Sequence, residues 1–451
     1  MDKSIALGEQ KIRTLLWDYS VPAIIGMVVN ALYNVVDSIF VGQGVGEIGL
    51  IAVTIAFPLM MILMAVGMFV GLGAAALVSI RLGEQDKAGA ELILGNALTM
   101  VIGLVIITTA GALWYLEPLL LLLGTTPDVL PYAKSFMTII LAGSVFMHVS
   151  FGLNGIIRAQ GDPKTALLTM LIGAVLNTIL NPLFIFGLHW GIEGSAWATV
   201  FSQAAATVWV LTYFIKGSGT LKLKRRYLAV RSEVVISIAK IGLAPFLLQI
   251  GNSLVIVVLN FSLLNYGGAL AIAAFGIINR VLMLMLMPVM GISQGAQPII
   301  GYNYGAGNYR RVIDTVKLAI LAATGLCLFG FICVQLLDVH IIRLFNGNQE
   351  LVQLGSDGLR LFLLMLPIIG FQIISANYFQ AVGKAGYAIV FNLLRQIILL
   401  IPLIYILPKF WGLTGIWLAG PISDVGAALL TGIFMFRELK SLASREQAAR
   451  S

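Results

Sequence analysis

Apolar runs, each as long as a membrane-crossing helix (roughly 18 residues or more), follow one another along the whole chain, separated only by short polar breaks. Each run can cross roughly 30 Å of hydrocarbon as a helix, so the pattern calls for an all-α protein threaded repeatedly through a bilayer. About twelve spans are expected, over 15–41, 49–80, 91–116, 132–157, 163–188, 193–215, 233–265, 268–301, 309–336, 352–381, 386–407 and 413–436. Only 11% of the residues are charged, where a soluble domain carries roughly 25%, so lipid is the solvent for most of the chain. No soluble domain of useful size fits between the runs. The polar stretch 1–14 leads straight into the first run, which is too long for the h-region of a cleavable signal peptide. Cys327 and Cys333 share one apolar run and read as small packing residues, neither a disulfide framework nor a metal site.

With those spans, the lysines and arginines in the connections and at the span ends sort by side. Twenty fall on one side, from Lys3, Lys11 and Arg13 through the cluster Lys216–Arg231 to Arg445 and Arg450; three, Lys134, Arg343 and Lys409, fall on the other. Cytoplasmic loops carry the excess of basic residues, so both termini and the stretch 216–232 are expected in the cytoplasm. The formal charge of +8 is therefore a topology signal, and no nucleic-acid partner is implied.

The chain repeats itself. Gly73 and Gly295, Gly83 and Gly305, and Gly161 and Gly383 share a single offset in the numbering; Pro22 with Pro245, and Trp190-Gly191 with Trp411-Gly412, depart from it by one position. Six helices have been duplicated with an even number of spans, giving a parallel repeat about an axis along the membrane normal. The expected organisation is a cytoplasmic N-terminus at 1–14, a first lobe at 15–215, a basic linker at 216–232, a second lobe at 233–436 and a tail at 437–451. Two such lobes commonly enclose a cavity and alternate its access by rocking. No filter-like ring points to a channel, and no HExxH, GxSxG or paired-carboxylate motif points to an enzyme. Gly71-Leu-Gly73 imitates a dinucleotide loop but lies inside a span, where close helix packing explains it.

The stretch SVPAIIGMVVNALYNVVDSIFVG (20–42) resembles the opening helix of the multidrug and toxic compound extrusion (MATE) family. LNTILNPLFIFGL (176–188) and GIEGSAWATVFSQ (191–203) resemble its fifth and sixth helices, and MPVMGISQGAQPIIGYNYGAGNYRRV (287–312) its eighth, particularly in the DinF/MepA-like bacterial branch. The resemblance implies twelve helices in two six-helix lobes and residence in a bacterial inner membrane. It also implies a secondary antiporter, not an enzyme, that exports bulky, often cationic organic compounds in exchange for Na⁺ or H⁺. No cofactor beyond that ion is expected, and the protein is expected to be monomeric. A flippase for lipid-linked saccharides is the alternative from the same superfamily; an integral-membrane enzyme is the alternative from another class.

An ionisable group inside a span is costly, so each asks for a reason. Asp37 is the one carboxylate well inside a span of the first half. Tyr33 lies one turn away on the same face; Asn177 and Asn181, four apart, share a face of the fifth helix, and Thr199 falls at similar depth on the sixth. Such oxygens around one negative charge suit Na⁺, or a proton, since amides and hydroxyls hydrogen-bond either form of the acid; the bland alternative is an Asp satisfied for packing. The family pattern on the fifth helix has Asn-x-x-x-Asp, and this chain has Asn181 instead of the acid. The copy of the cluster in the second half carries no polar residue at 397–403, and Asp37 maps near Leu259 and Asn260. Asn30 and Asn154, which the resemblance alone turns towards a substrate cavity, and Gln249, Met283 and Met287 are candidates to line it, against ordinary packing. Arg280, Arg395 and Asp424, at matching depth in the second half, are expected to form an ion pair or triad, a structural polar network with a role in substrate or proton passage as the alternative. Arg360, near a helix end, is expected to snorkel to the interface, and His148 to be a satisfied packing histidine.

Overall fold

The structure, a computed structural model, describes residues 4–217, 219–345 and 348–448. Lys3 and Arg450, counted above on the basic side, lie outside the described residues. Among the described residues there is no strand. Helices follow one another as α1 (Ala6–Glu9), α2 (Ile12–Gly44), α3 (Glu47–Gly83), α4 (Lys87–Trp114), α5 (Leu116–Leu122), α6 (Leu130–Ala159), α7 (Pro163–Pro182) and α8 (Gly191–Lys216). Then come α9 (Ser232–Gly305), α10 (Tyr309–Phe345), α11 (Gln349–Phe362), α12 (Leu366–Ala381), α13 (Ala385–Leu393), α14 (Ile401–Ile406) and α15 (Pro408–Ala448). Hydrocarbon offers the backbone no water, so helices that close their own hydrogen bonds are the form such apolar runs take.

Among the described residues ten helices are long and apolar enough to cross a membrane, eleven if α11 and α12, bent by 49°, form one span. Helix α9 runs for 74 residues but is broken at Gly268, where φ is 67° and ψ −165°. The ends are capped where the sequence supplies a cap: Asp86 accepts from the Gly89 amide at 2.8 Å and Asp162 from the Thr165 amide at 3.3 Å.

The duplication is written into the backbone as well as the sequence. Left-handed residues at Gly46, Gln85, Gly161 and Gly191 recur, at the offset of the sequence repeat or within one position of it, as Gly268, Gly307, Gly383 and Gly412. The same connections are therefore made twice.

By internal contact the chain divides into two units, one of Met1–Gln10 with Ile25–Phe246, the other of Lys11–Ile24 with Leu247–Ser451. In the first unit small residues let helices meet at their backbones. A β-carbon on Gly71 of α3 would lie 2.8 Å from Gly152 of α6, which explains the false dinucleotide loop. One on Gly73 would lie 2.4 Å from the Ile238 carbonyl, and one on Gly242 only 1.7 Å from that of Phe69, so the start of α9 is seated on α3. In the second unit a β-carbon on Gly295 would lie 2.7 Å from the Ser20 backbone and one on Gly291 within 2.9 Å of Ile24. Gly73 with Gly242, and Gly295 with Ser20, are one kind of packing made twice: Gly73 is the repeat counterpart of Gly295, and Ser20 falls within one position of the counterpart of Gly242. Each copy's first long helix thus starts on the other copy's second.

The basic stretch after α8 is docked. Glu91 of α4, almost fully buried, pairs with Lys224 at 2.5 Å, and Asn96 bridges the Tyr227 carbonyl (3.1 Å) and the Arg231 amide (2.7 Å). Thr99 and Gln160 hold the Leu228 carbonyl and the Leu221 amide, both at 2.9 Å. In the second unit the end of α15 is fastened in a comparable way: Glu438 accepts from Tyr378 at 3.0 Å and Lys384 at 2.5 Å, and Glu446 from the Arg310 amide at 3.2 Å.

Candidate functional site

Three helices of the first unit each contribute two polar residues four positions apart: Tyr33 and Asp37 from α2, Asn177 and Asn181 from α7, Ser195 and Thr199 from α8. A spacing of four puts each pair on one helix face, and the three faces meet. Asn181 Nδ2 donates to Asp37 Oδ1 and, at 3.2 Å, to Asn177 Oδ1. Asn177 Nδ2 donates to Thr199 Oγ1 at 3.1 Å, and Ser195 Oγ to Asp37 Oδ1 at 2.9 Å. The Tyr33 hydroxyl reaches Thr199 and lies in the field of Asp37. The structure thus brings together all five residues singled out for the cation, around a single carboxylate.

The chain directly after Asn181 explains how α8 comes close enough. From Pro182 the helix loosens into a π-helical segment, Leu183–Gly187, a form that recurs at functional sites. Two glycines press against that segment: a β-carbon on Gly44 of α2 would lie 2.1 Å from Ile185, and one on Gly194 of α8 3.0 Å from the Phe184 backbone. Gly194 immediately precedes Ser195, so its missing side chain is what sets the serine against Asp37. Behind the site Leu59, Leu63, Phe136, Met137, Ile192 and Ala196 belong to one packed core.

One polar atom here has no use within the protein. Asn181 is fully buried and its Oδ1 has no hydrogen-bond partner among the described residues. A buried acceptor left unsatisfied costs about 1–3 kcal/mol, and a donor, a water or a cation relieves it. Both donors to Asp37 fall on Oδ1; among the described residues none falls on Oδ2. The site therefore offers two uncommitted oxygens beside one formal negative charge.

The remaining candidates do not gather. Asn154 of α6 donates to the Ala166 carbonyl at 2.8 Å and accepts from Arg158 at 3.2 Å, a tie between α6 and α7. Asn30 and Met283 are exposed, Gln249 and Met287 half-buried. Of the ion pair or triad expected in the second half, the structure shows the pair: Arg395 Nε lies 2.5 Å from Asp424 Oδ1, with Ser423 donating to the Arg395 carbonyl, whereas Arg280 makes no ion pair among the described residues. Its face of α9 is exposed while Ile277, Ile278 and Val281 turn inward, so the guanidinium points away from the packed interior. Arg395 stands in a second π-helical segment, Leu394–Leu400. Arg360, half-exposed, binds Asp338, almost fully buried, through Nε at 2.6 Å and Nη2 at 3.0 Å. His148 sets its ring nitrogens 2.7 Å from the carbonyls of Ser144 and Leu63, bridging α6 and α3.

The MatE family model matches residues 22–183 and again 245–406, two stretches of equal length that repeat the offset between Pro22 and Pro245. "Multidrug export protein MepA" of Staphylococcus aureus (strain MRSA252) is 27% identical over 398 residues, 88% of each chain. Among solved structures, a MATE protein in complex with MaL6 superposes with a TM-score of 0.92 at 25% identity, over 98% of this chain and all of its own. A MOP superfamily transporter from Pyrococcus furiosus gives 0.91 at 26% identity, over 98% of each chain. With two matched copies covering most of its length, this chain belongs to the MatE family of multi-pass membrane transporters and is not an enzyme.

Proposed function

We propose that the protein is a secondary antiporter that exports bulky, mainly cationic organic compounds in exchange for Na⁺ or H⁺. The observation that carries this reading is the pairing of Asp37 with the unsatisfied buried oxygen of Asn181, in the half of the duplication where the polar residues are not repeated. Scaffold glycines recur in both copies, whereas these residues do not, which fits a task rather than folding. The relatives described as multidrug exporters support the substrate class. Reading α9 as two spans across Gly268 brings the count to the twelve expected of the family, with both termini cytoplasmic in a bacterial inner membrane. In this reading a cation reaches the cluster of Asp37, Tyr33, Asn177, Asn181 and Thr199 from outside, and its differential affinity favours one conformation over the other. The protein works as a monomer and needs no nucleic-acid partner.

The test is uptake of a fluorescent organic cation into inverted vesicles holding the purified protein, with a Na⁺ or pH gradient imposed separately. Gradient-driven uptake that disappears in Asp37→Asn is the expected result; full uptake by the variant overturns the assignment. A flippase for lipid-linked saccharides is the second reading, favoured by likeness to the Pyrococcus furiosus transporter, whose reversed binding-pocket polarity is described as suggesting a different function. No uptake of any cation under either gradient supports that reading instead.

A further inference from the structure

Serine and threonine hydroxyls inside helices commonly turn back to the carbonyl four residues earlier. In this protein Ser38, Ser79, Thr138, Thr178 and Ser202 all do so, with distances of 2.7–3.0 Å. Ser202 is two turns further along the same helix as Ser195. Ser195 departs from the habit: it is fully buried, and its hydroxyl crosses to α2 and donates to Asp37. Gly194 beside it is pressed onto the Phe184 backbone, which holds the serine in register.

The consequence lies in which carboxylate oxygen is occupied. Asn181 and Ser195 both donate to Oδ1, arriving from two helices, and together they stop the carboxylate turning about its last bond. Oδ2 and Asn181 Oδ1 are then the uncommitted pair. Helices α7 and α8 bring only amides and hydroxyls to Asp37, and Tyr33 on its own helix is the titratable group facing it. We propose that Ser195 is a positioning residue for the coupling ion: with Asn181 it pins Oδ1 of Asp37, so that Oδ2 together with Asn181 Oδ1 receives the ion. This rests on the reading of Asp37 as the coupling site. A preorganised ligand pair binds more tightly than one that must first be ordered.

The experiment is ion-dependent thermal stabilisation of the purified full chain in detergent, which needs no transported compound. Binding to the folded state alone raises stability with ion concentration, so the concentration at half effect reports affinity. If Na⁺ stabilises the native protein, Ser195→Ala should need about tenfold more Na⁺ at fixed pH, equivalent to ~1.4 kcal/mol. If the proton is the ion, losing a donor from the anion favours protonation, and the half-effect pH should rise by about one unit. Ser202→Ala, which removes a hydroxyl that serves only its own helix, should leave either midpoint unchanged. Should Ser195→Ala not fold, Ser195→Cys, a weaker donor of similar volume, should shift the midpoint in the same sense and by less. An unmoved midpoint in a folded Ser195 variant, with the response lost in Asp37→Asn, overturns the role of Ser195. A response that survives in Asp37→Asn, or is absent from the native protein with both ions, overturns the underlying site instead.

Discussion

At Asp37 one negative charge is surrounded by neutral groups, whereas Asp424 faces a cation, and the two carboxylates should answer mutation differently. Removing one partner of a buried ion pair leaves the other uncompensated, which costs about 3–5 kcal/mol; replacing both by apolar residues is often neutral. Asp424→Leu should therefore lower the unfolding midpoint severely, and Arg395→Met with Asp424→Leu should recover most of it, as read by thermal unfolding in detergent. Recovery of stability without recovery of transport would give the pair a role beyond structure. Asp37, Asn177, Asn181, Thr199 and Tyr33 were legible in the sequence because spacing and depth brought them to one level. Ser195 was not, though it stands one helical turn before Thr199: a serine among alanines gives no sign of which way its hydroxyl turns. Which of Arg280 and Arg395 meets Asp424 was not legible either, since depth along a helix says nothing about direction around it.

Among the elements, the connections carry a test of the duplication. Gln85 and Gly307 occupy the same left-handed position in the two copies, with φ of 62° and 72°. A side chain in that region costs roughly 1–2 kcal/mol, while glycine gives back about 0.4–1 kcal/mol of unfolded-chain entropy. Gln85→Gly should thus be neutral to slightly stabilising and Gly307→Ala destabilising by about 1 kcal/mol, compared through unfolding midpoints. A harsher result is expected at Gly242, where a β-carbon would strike the Phe69 carbonyl, than at Gly103, where it would meet nothing within 4 Å. The helices themselves were readable from length and apolarity. The π-helical segments were not, because Pro182 announces a disturbance without saying that the chain absorbs it by widening rather than breaking. Nor was the seating of the basic linker: Glu91, Asn96 and Thr99 look like ordinary residues at the end of a span until Lys224, Tyr227 and Leu228 come down on them.

For the molecule as a whole, the repeat was legible from glycines and tryptophans at a nearly constant offset, because backbone geometry tolerates few substitutes there. The seating of each copy's first long helix on the other copy's second was not, since a Gly at 73 or 295 does not name its partner. It bears on whether the halves can be separated. Residues 1–218 and 219–451, expressed apart, each contain a helix start whose seat lies in the missing piece, Lys11–Ile24 in the first and Ser232–Phe246 in the second. Alone, each should be lost to proteolysis; expressed together, they should co-purify through a tag on either piece. Stable accumulation of one half alone would count against the arrangement.

The same feature bears on descent. Before the two copies were joined, a single six-helix chain with this packing would have formed a homodimer in which each subunit placed the start of its first helix in its twin. In the joined chain one such self-complementary contact would become two contacts free to diverge. Ser20 against Gly295 and Gly242 against Gly73 are the two contacts in this chain: one carries a hydroxymethyl group, and the other has glycine on both sides. A bulky change at one partner must be answered in the opposite copy, so these two pairs tie together the histories of segments that lie far apart along the chain.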